Sequence, residues 1–180
     1  MNLPTVIGLW SPAPGSGKST VAAMICNATG LHQIAPFASP LKRMVIELLL
    51  AAGYDEPAAQ HFVYDAKHEP LELIPGHPTA RRLQQTLGTE WGRDMISQDL
   101  WVELWRNRAA GLPCVVADDV RRPNEAAAIA ELGGELWAIT RPGVTDVTGH
   151  ISESGLGDLA FDRVIVNDGT FEDLLAQVLR

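Results

Sequence analysis

The sequence predicts an α/β fold, with a five-stranded, largely parallel sheet carrying helices on both faces. Three observations lead to it. Short apolar runs alternate with segments of helical period along the chain, the pattern of repeated strand–helix units. The first such unit joins its strand to its helix through the glycine-rich loop "SPAPGSGKST". The run "PCVVADDV" is continuously apolar and ends in carboxylates, as expected of a strand buried on both faces whose C-terminal end opens on a site.

Taken in order, Val6 to Leu9 form the first strand, and "KSTVAAMICNATG" reads as a helix closed by Gly30. A second short strand is expected around Gln33 to Phe37. Leu41 to Ala52 is a helix with Leu41, Met44, Val45, Leu48, Leu49 and Ala52 on one face, and Lys42 and Arg43 off it. From Gly53 to Pro78 the periodicity fades and prolines and histidines accumulate, which predicts an irregular insertion. Helical patterning returns from Thr79 through Leu83 and Leu87, with Gly88 placed to end or bend it. A further helix covers Gln98 to Ala109, with Trp101 and Trp105 one turn apart. After the "PCVVADDV" strand come a helix from Asn124 to Leu132, a strand in "ELWAIT" and a strand in "DRVIVND". The last helix starts at a capping box, Thr170 to Asp173, and carries Phe171, Leu174, Leu175 and Val178 as its apolar face.

The chain has 180 residues, enough for one domain, and the expectation is a single unit over 1–180. A net charge of -8 disfavours direct nucleic-acid or anionic-membrane binding, because the long-range field repels polyanions. Local charge still suits small anions: of 14 basic residues only Lys18, Lys42 and Lys67 are lysine, and the arginine fork fits phosphate. Cys26 and Cys114 are too few for a disulfide framework or zinc site and sit in apolar, buried-looking segments. A reduced, cytoplasmic setting is expected. No segment reads as a leader or a membrane span, and His32, His61, His68 and His77 show no ligand spacing.

The chemistry begins at "PGSGKST". A phosphate-cradling loop wraps oxygens with successive backbone N–H groups, so glycine is needed where a Cβ would collide or φ must be positive. Gly15 and Gly17 occupy those places, Lys18 would reach the β and γ phosphates, and the Ser19 hydroxyl would ligate Mg²⁺. Pro12 stands where the usual pattern has its first glycine, ahead of the tight part. Asp118 and Asp119 are both placed to support the metal. Arg81 and Gln85 share a helical face, Arg93 follows, Arg121 comes just after Asp119, and Arg141 opens a glycine-rich segment. Arginines at strand and helix ends suit a second phosphate site, which a phosphotransferase needs and a hydrolysing switch does not. Phe37 is placed to face an acceptor base; Trp101 reads as core or as base-facing, and Trp91 is open between the two.

Several segments together resemble the deoxynucleoside monophosphate kinases of bacteriophages, within the larger P-loop kinase group: "IGLWSPAPGSGKSTVA", "FASPLK", "RRLQQTLGTEWGRD", "DLWV", "DDVRRPNEAAAI", "GGELWAITRPG", "HISE" and "VIVNDGTFEDL". The resemblance implies a three-layer P-loop NTPase fold with short insertions, a monophosphate-binding region over about 38–98 and a lid-like segment over 141–160. It implies that Pro14, Gly15, Ser16, Gly17, Lys18, Ser19 and Thr20 bind ATP, with Ser19 and Asp119 serving Mg²⁺. It prefers Asp119 to Asp118 because Asp119 and Arg121 match the family's D-V-R. For the acceptor it implies Phe37, Ala38, Lys42, Arg81, Gln85, Glu90, Arg93, Trp101, Asp119, Arg121 and Glu125. Lys18, Arg81, Arg121 and Arg141 would be the catalytic cations, and His150, Ser152 and Glu153 match the lid. Arg122 departs from the pattern, where an aromatic or apolar residue is expected, and Ser19 stands where some members carry aspartate. The activity implied is transfer of the ATP γ-phosphate to a deoxynucleoside monophosphate for phage DNA precursor synthesis, by a monomer or homodimer in the host cytoplasm. A kinase restricted to dGMP or dTMP and an ATPase switch acting with a protein partner are the alternatives.

Overall fold

The computed structural model describes residues 3–144 and 160–180. The chain forms two compact units, one built from 1–37 and 105–180 and the other from Ala38–Leu104. His150, Ser152, Glu153 and most of the expected lid lie outside the described residues.

The first unit holds the sheet. Strands β1 (Val6–Trp10), β2 (His32–Ile34), β3 (Cys114–Ala117), β4 (Glu135–Thr140) and β5 (Arg163–Val166) are all parallel, in the order β2-β3-β1-β4-β5. This is the expected five-stranded sheet, with β2 shorter than predicted: the Ala35 N–H still donates to the Val116 carbonyl at 2.8 Å, and Pro36, which has no N–H, cannot continue the ladder. Helix α1 (Lys18–Thr29) and the last helix, α7 (Phe171–Val178), share one face of the sheet. Their Val21, Ala22, Ile25, Leu174 and Val178 pack with Ile7, Leu9, Val116, Trp137, Ile139 and Ile165. Side chains alternate across a strand, so Gly8 looks to the other face. A Cβ there would come within 3.0 Å of Ile129 and 3.1 Å of Val120, which places helix α6 (Pro123–Glu131) on that side. Phe171, expected in the apolar face of α7, is exposed; it is the first residue of the helix, and burial begins one turn later at Leu174. Cys26 and Cys114 are half-buried free thiols.

The second unit is helical. Helix α2 (Ser39–Ala51) buries Leu41, Val45, Ile46 and Leu49, while Met44 and Leu48 are exposed, so the apolar stripe is rotated towards Ile46 from the face read in the sequence. The stretch predicted to be irregular contains a helix, α3 (Glu56–Tyr64). Asp55 caps it by accepting from the Ala58 N–H at 2.8 Å, and Pro57 lies in its first turn, both recognisable start signals. Ala59 and Val63, one turn apart, join the α2 residues in this unit's core.

Thr79 caps α4 (Ala80–Thr86). Gly88 does not end the helical path, which widens into a π-helical stretch over Leu87–Ile96. Trp101 packs against this stretch. Its indole N–H donates to the Gly88 carbonyl at 2.7 Å, and its ring occupies the space over Gly92, where a Cβ would meet it at 2.5 Å. Helix α5 (Leu100–Ala109) then carries the chain from the second unit into the first. No described helix is long and apolar enough to cross a membrane.

Candidate active site

A parallel sheet brings the C-terminal ends of all its strands to one edge, and β1 lies at the centre of that edge between β3 and β4. The loop after β1 is therefore flanked by the residues that follow β3 (Asp118, Asp119), β4 (Arg141) and β5 (Asn167). Gly15, with φ of 80°, and Gly17, with φ of 104°, adopt the left-handed backbone that lets successive N–H groups converge. Within the loop, Ser16 Oγ donates to the Ala13 carbonyl at 2.7 Å and Ser11 Oγ donates to the same carbonyl at 2.9 Å. Pro12, with no N–H to give, lies inside this internally bonded portion. Helix α1 starts from Gly17 with no side-chain cap and no acidic residue in its first turn, so its positive end is not compensated by its own sequence.

Gly15, Ser16, Gly17, Lys18, Ser19, Thr20, Arg141 and Asn167 line one cleft of about 330 Å³. Lys18 Nζ donates to Ser11 Oγ. Burial holds the Lys18 ammonium below its usual pKa, and the Arg121 guanidinium adds to that effect, while Asp118 and then Asp119 oppose it. Those four groups thus share one electrostatic neighbourhood. A cleft of about 460 Å³ in the second unit is larger, but Pro75, Gly76, His77, Pro78, Thr79 and Arg82 line it and none of them is a candidate site residue in the sequence.

Of the two carboxylates after β3, it is Asp118 that bonds Ser19. Ser19 Oγ donates to Asp118 Oδ2 at 3.1 Å, whereas Asp119 Oδ1 accepts from the Phe37 N–H at 2.8 Å. Adjacent residues leaving a strand point to opposite sides, and the α1 side falls to Asp118. Asp119 belongs instead to a clamp on the connector after β2. There Trp105 Nε1 donates to the Ala35 carbonyl at 2.8 Å and Arg108 donates to the Pro36 carbonyl at 2.6 Å.

Four of the residues expected around an acceptor are engaged in packing or capping. Phe37 is 2% exposed and stacks on Trp105 with centroids 4.5 Å apart, so its ring is packed in the core. Trp101 is likewise 2% exposed. Glu125 is buried at the start of α6, where its Oε2 accepts from the N–H groups of Arg121 at 2.7 Å and Arg122 at 3.1 Å; it shapes the backbone that presents Arg121. Arg93 is buried and donates to the Gln98 carbonyl at 2.9 Å. In the second unit Lys42 lies over the Tyr64 ring at 4.7 Å, Arg81 is half-buried, and Gln85, Glu90 and Trp91 are exposed. Ala38 opens that unit, and its carbonyl accepts from the Lys42 N–H at 3.0 Å. Asn167 was missed as a site residue, although it lay inside the resembling segment "VIVNDGTFEDL".

Residues 65–178 match the family model for deoxynucleotide monophosphate kinase. The chain belongs to the deoxynucleotide monophosphate kinase family. It is 33% identical over 191 aligned residues to a protein of Acanthamoeba polyphaga mimivirus named as a candidate deoxynucleotide monophosphate kinase, with 97% of this chain and 94% of that one covered. The deoxynucleotide monophosphate kinases of Escherichia phage RB69 and Enterobacteria phage T4 are 28% and 30% identical to it. Those matches cover 64% and 56% of this kinase but 49% and 44% of the phage proteins, so it spans about half their length. A crystal structure of TT1252 from Thermus thermophilus shares the fold, with a TM-score of 0.52 and 17% identity over 99% of this chain and 95% of that one.

Proposed function

We propose that this kinase transfers the γ-phosphate of ATP to a deoxynucleoside monophosphate, with Gly15 to Thr20 as the donor cradle. The observation that carries the reading is the single cleft that combines the loop N–H groups, Lys18 and Arg141 beside the Ser19–Asp118 pair. A hydroxyl and a carboxylate are hard oxygen donors of the kind Mg²⁺ takes, so Ser19, supported by Asp118, fits that ion. Mg²⁺ bound there would supply positive charge to the donor phosphates.

The acceptor phosphate, with a second pKa near about 6, is already ionised at neutral pH, so no strong general base is needed. One of its oxygens forms the bond to the γ-phosphorus as the bond to the β–γ bridging oxygen breaks, and ADP leaves. Lys18, Arg121 and Arg141 neutralise the charge that spreads over the transferring group. The family resemblance supports Ala38, Lys42, Arg81, Gln85 and Glu90 as acceptor contacts, with Arg81 among the catalytic cations, and about 38–98 as the region that receives the monophosphate. The viral sources of the relatives support a setting in the cytoplasm of an infected cell.

The test is ADP release measured over a panel of deoxy- and ribonucleoside monophosphates with wild type and Lys18→Ala. Acceptor-dependent ADP is expected for deoxy substrates, with a loss of about 10²–10³-fold in Lys18→Ala and a retained fold. ADP release that ignores the acceptor would overturn the reading in favour of a switch-type ATPase.

A further inference from the structure

Asn167 stands immediately after β5, and its position is fixed by its own backbone. Its N–H donates to the Thr140 carbonyl at 2.8 Å, extending the β4–β5 ladder by one rung. From there its side-chain amide reaches 151 positions back along the chain, and Nδ2 donates to the Ser16 carbonyl at 3.0 Å. The amide also lies against Gly17, where a Cβ would come 2.6 Å from Nδ2. Ser16 is buried, and Asn167 lines the same cleft as the loop.

The Ser16 carbonyl and the Gly17 N–H belong to one trans peptide, and in a trans peptide the two point in opposite directions. Holding the carbonyl therefore also sets the direction of the N–H. Gly17 has a glycine's freedom at both dihedrals, so its own chain does not fix this peptide. An outside partner is needed, and Asn167 is the side chain that bonds it. We infer that Asn167 is a positioning residue for the donor: it locks the Ser16–Gly17 peptide so that the Gly17 N–H faces the phosphate cleft. The inference rests on the reading of Gly15 to Thr20 as the donor cradle. The residue must be an asparagine or another short donor. Aspartate has the same shape but sets a carboxylate against the Ser16 carbonyl and adds negative charge beside the phosphates.

The experiment measures the ATP Kd by calorimetry, the KM for each substrate and the melting temperature for Asn167→Ala, Asn167→Asp and Lys18→Ala. Asn167→Ala is expected to raise the Kd and KM for ATP about 3–10-fold, the worth of one hydrogen bond, with the acceptor KM unchanged. Asn167→Asp, which keeps the side-chain volume and so guards against simple misfolding, is expected to weaken ATP by a further factor of about 10. Wild-type ATP affinity in both Asn167 variants, with only the melting temperature lowered, would overturn the inference while Lys18→Ala still loses activity. Wild-type activity in Lys18→Ala would instead remove the cradle reading, and this inference with it.

Discussion

The loop Gly15–Thr20 and the stretch Leu87–Ile96 both depend on glycine, but to opposite ends. At Gly17 the missing side chain, with φ of 104°, lets the backbone turn its N–H groups towards an open cleft. At Gly92 the missing side chain makes room for the chain's own Trp101, whose ring atoms lie 2.5 to 2.7 Å from where a Cβ would be. The first glycine opens onto a cleft and the second serves packing. A motif rich in glycine is therefore not by itself a mark of a binding loop; what fills the vacated space decides.

Substituting each glycine by alanine separates these roles, and the larger functional effect is expected at the loop. Gly17→Ala forces a left-handed alanine and pushes on the Asn167 amide. It should cut kcat/KM for ATP by about 10²–10³-fold. The strain costs about 1–2 kcal/mol, so the protein remains folded. Gly92→Ala overfills the contact with Trp101 and should destabilise by about 1–3 kcal/mol, read as a lower denaturation midpoint. Its activity per folded molecule should stay within about a few-fold of wild type, as expected of a packing defect. If Gly92→Ala lost ATP affinity while keeping its stability, the contrast between the two glycines would collapse.

The same contrast between ligand side and scaffold side runs through the Asp118–Asp119 pair at a smaller scale. Asp118→Asn should weaken the Mg²⁺ dependence of the rate by about 10–100-fold, as loss of a supporting carboxylate does. Added Mg²⁺ should recover part of the rate. Asp119→Ala leaves the Phe37 N–H without its carboxylate partner and should cost about 1.5–3 kcal/mol of stability. Its Mg²⁺ titration should match wild type. Interchanged phenotypes would favour the assignment to Asp119 that the family resemblance implies.

Much of the sheet was legible because a parallel strand buried on both faces leaves a continuous apolar run, and "CVVA" and "ELWAIT" mark β3 and β4 closely. The glycine loop and its left-handed turns were legible because two glycines, a lysine and a hydroxyl occur in fixed order before a helix. Helix α3 was obscured by prolines and histidines around it, although Asp55 and Pro57 carry its start signal. The roles of Phe37 and Trp101 could not be read locally, since an aromatic ring suits a base or a core equally well and only tertiary packing decides. Asp118 was within reach. Val116 packs on the α1 side of β3, and a period of two carries Asp118 to that same side, towards Ser19. Asn167 left no such signal, because what it bonds is a backbone carbonyl 151 positions earlier.

The smallest expected effect concerns pH and tests whether Asp118, Arg121 and Lys18 form one charged neighbourhood. Burial first, and Arg121 second, hold the Lys18 pKa below 10.5, against the pull of Asp118 and Asp119. The active form carries the ammonium, so the alkaline limb of kcat/KM for ATP, which reports the free enzyme, should fall below an ordinary lysine's range. Arg121→Gln removes a lowering influence and should move that limb up, whatever it does to the maximal rate. Asp118→Asn removes a raising influence and should move it down. The linked effect on folding has a definite sign as well. Between the lowered folded pKa and 10.5 the unfolded chain binds more protons than the native one, so this lysine's contribution to stability rises with pH through that window. Limbs that shift in the same direction in both variants would mean that the two groups act on Lys18 through a change of structure and not through their charges.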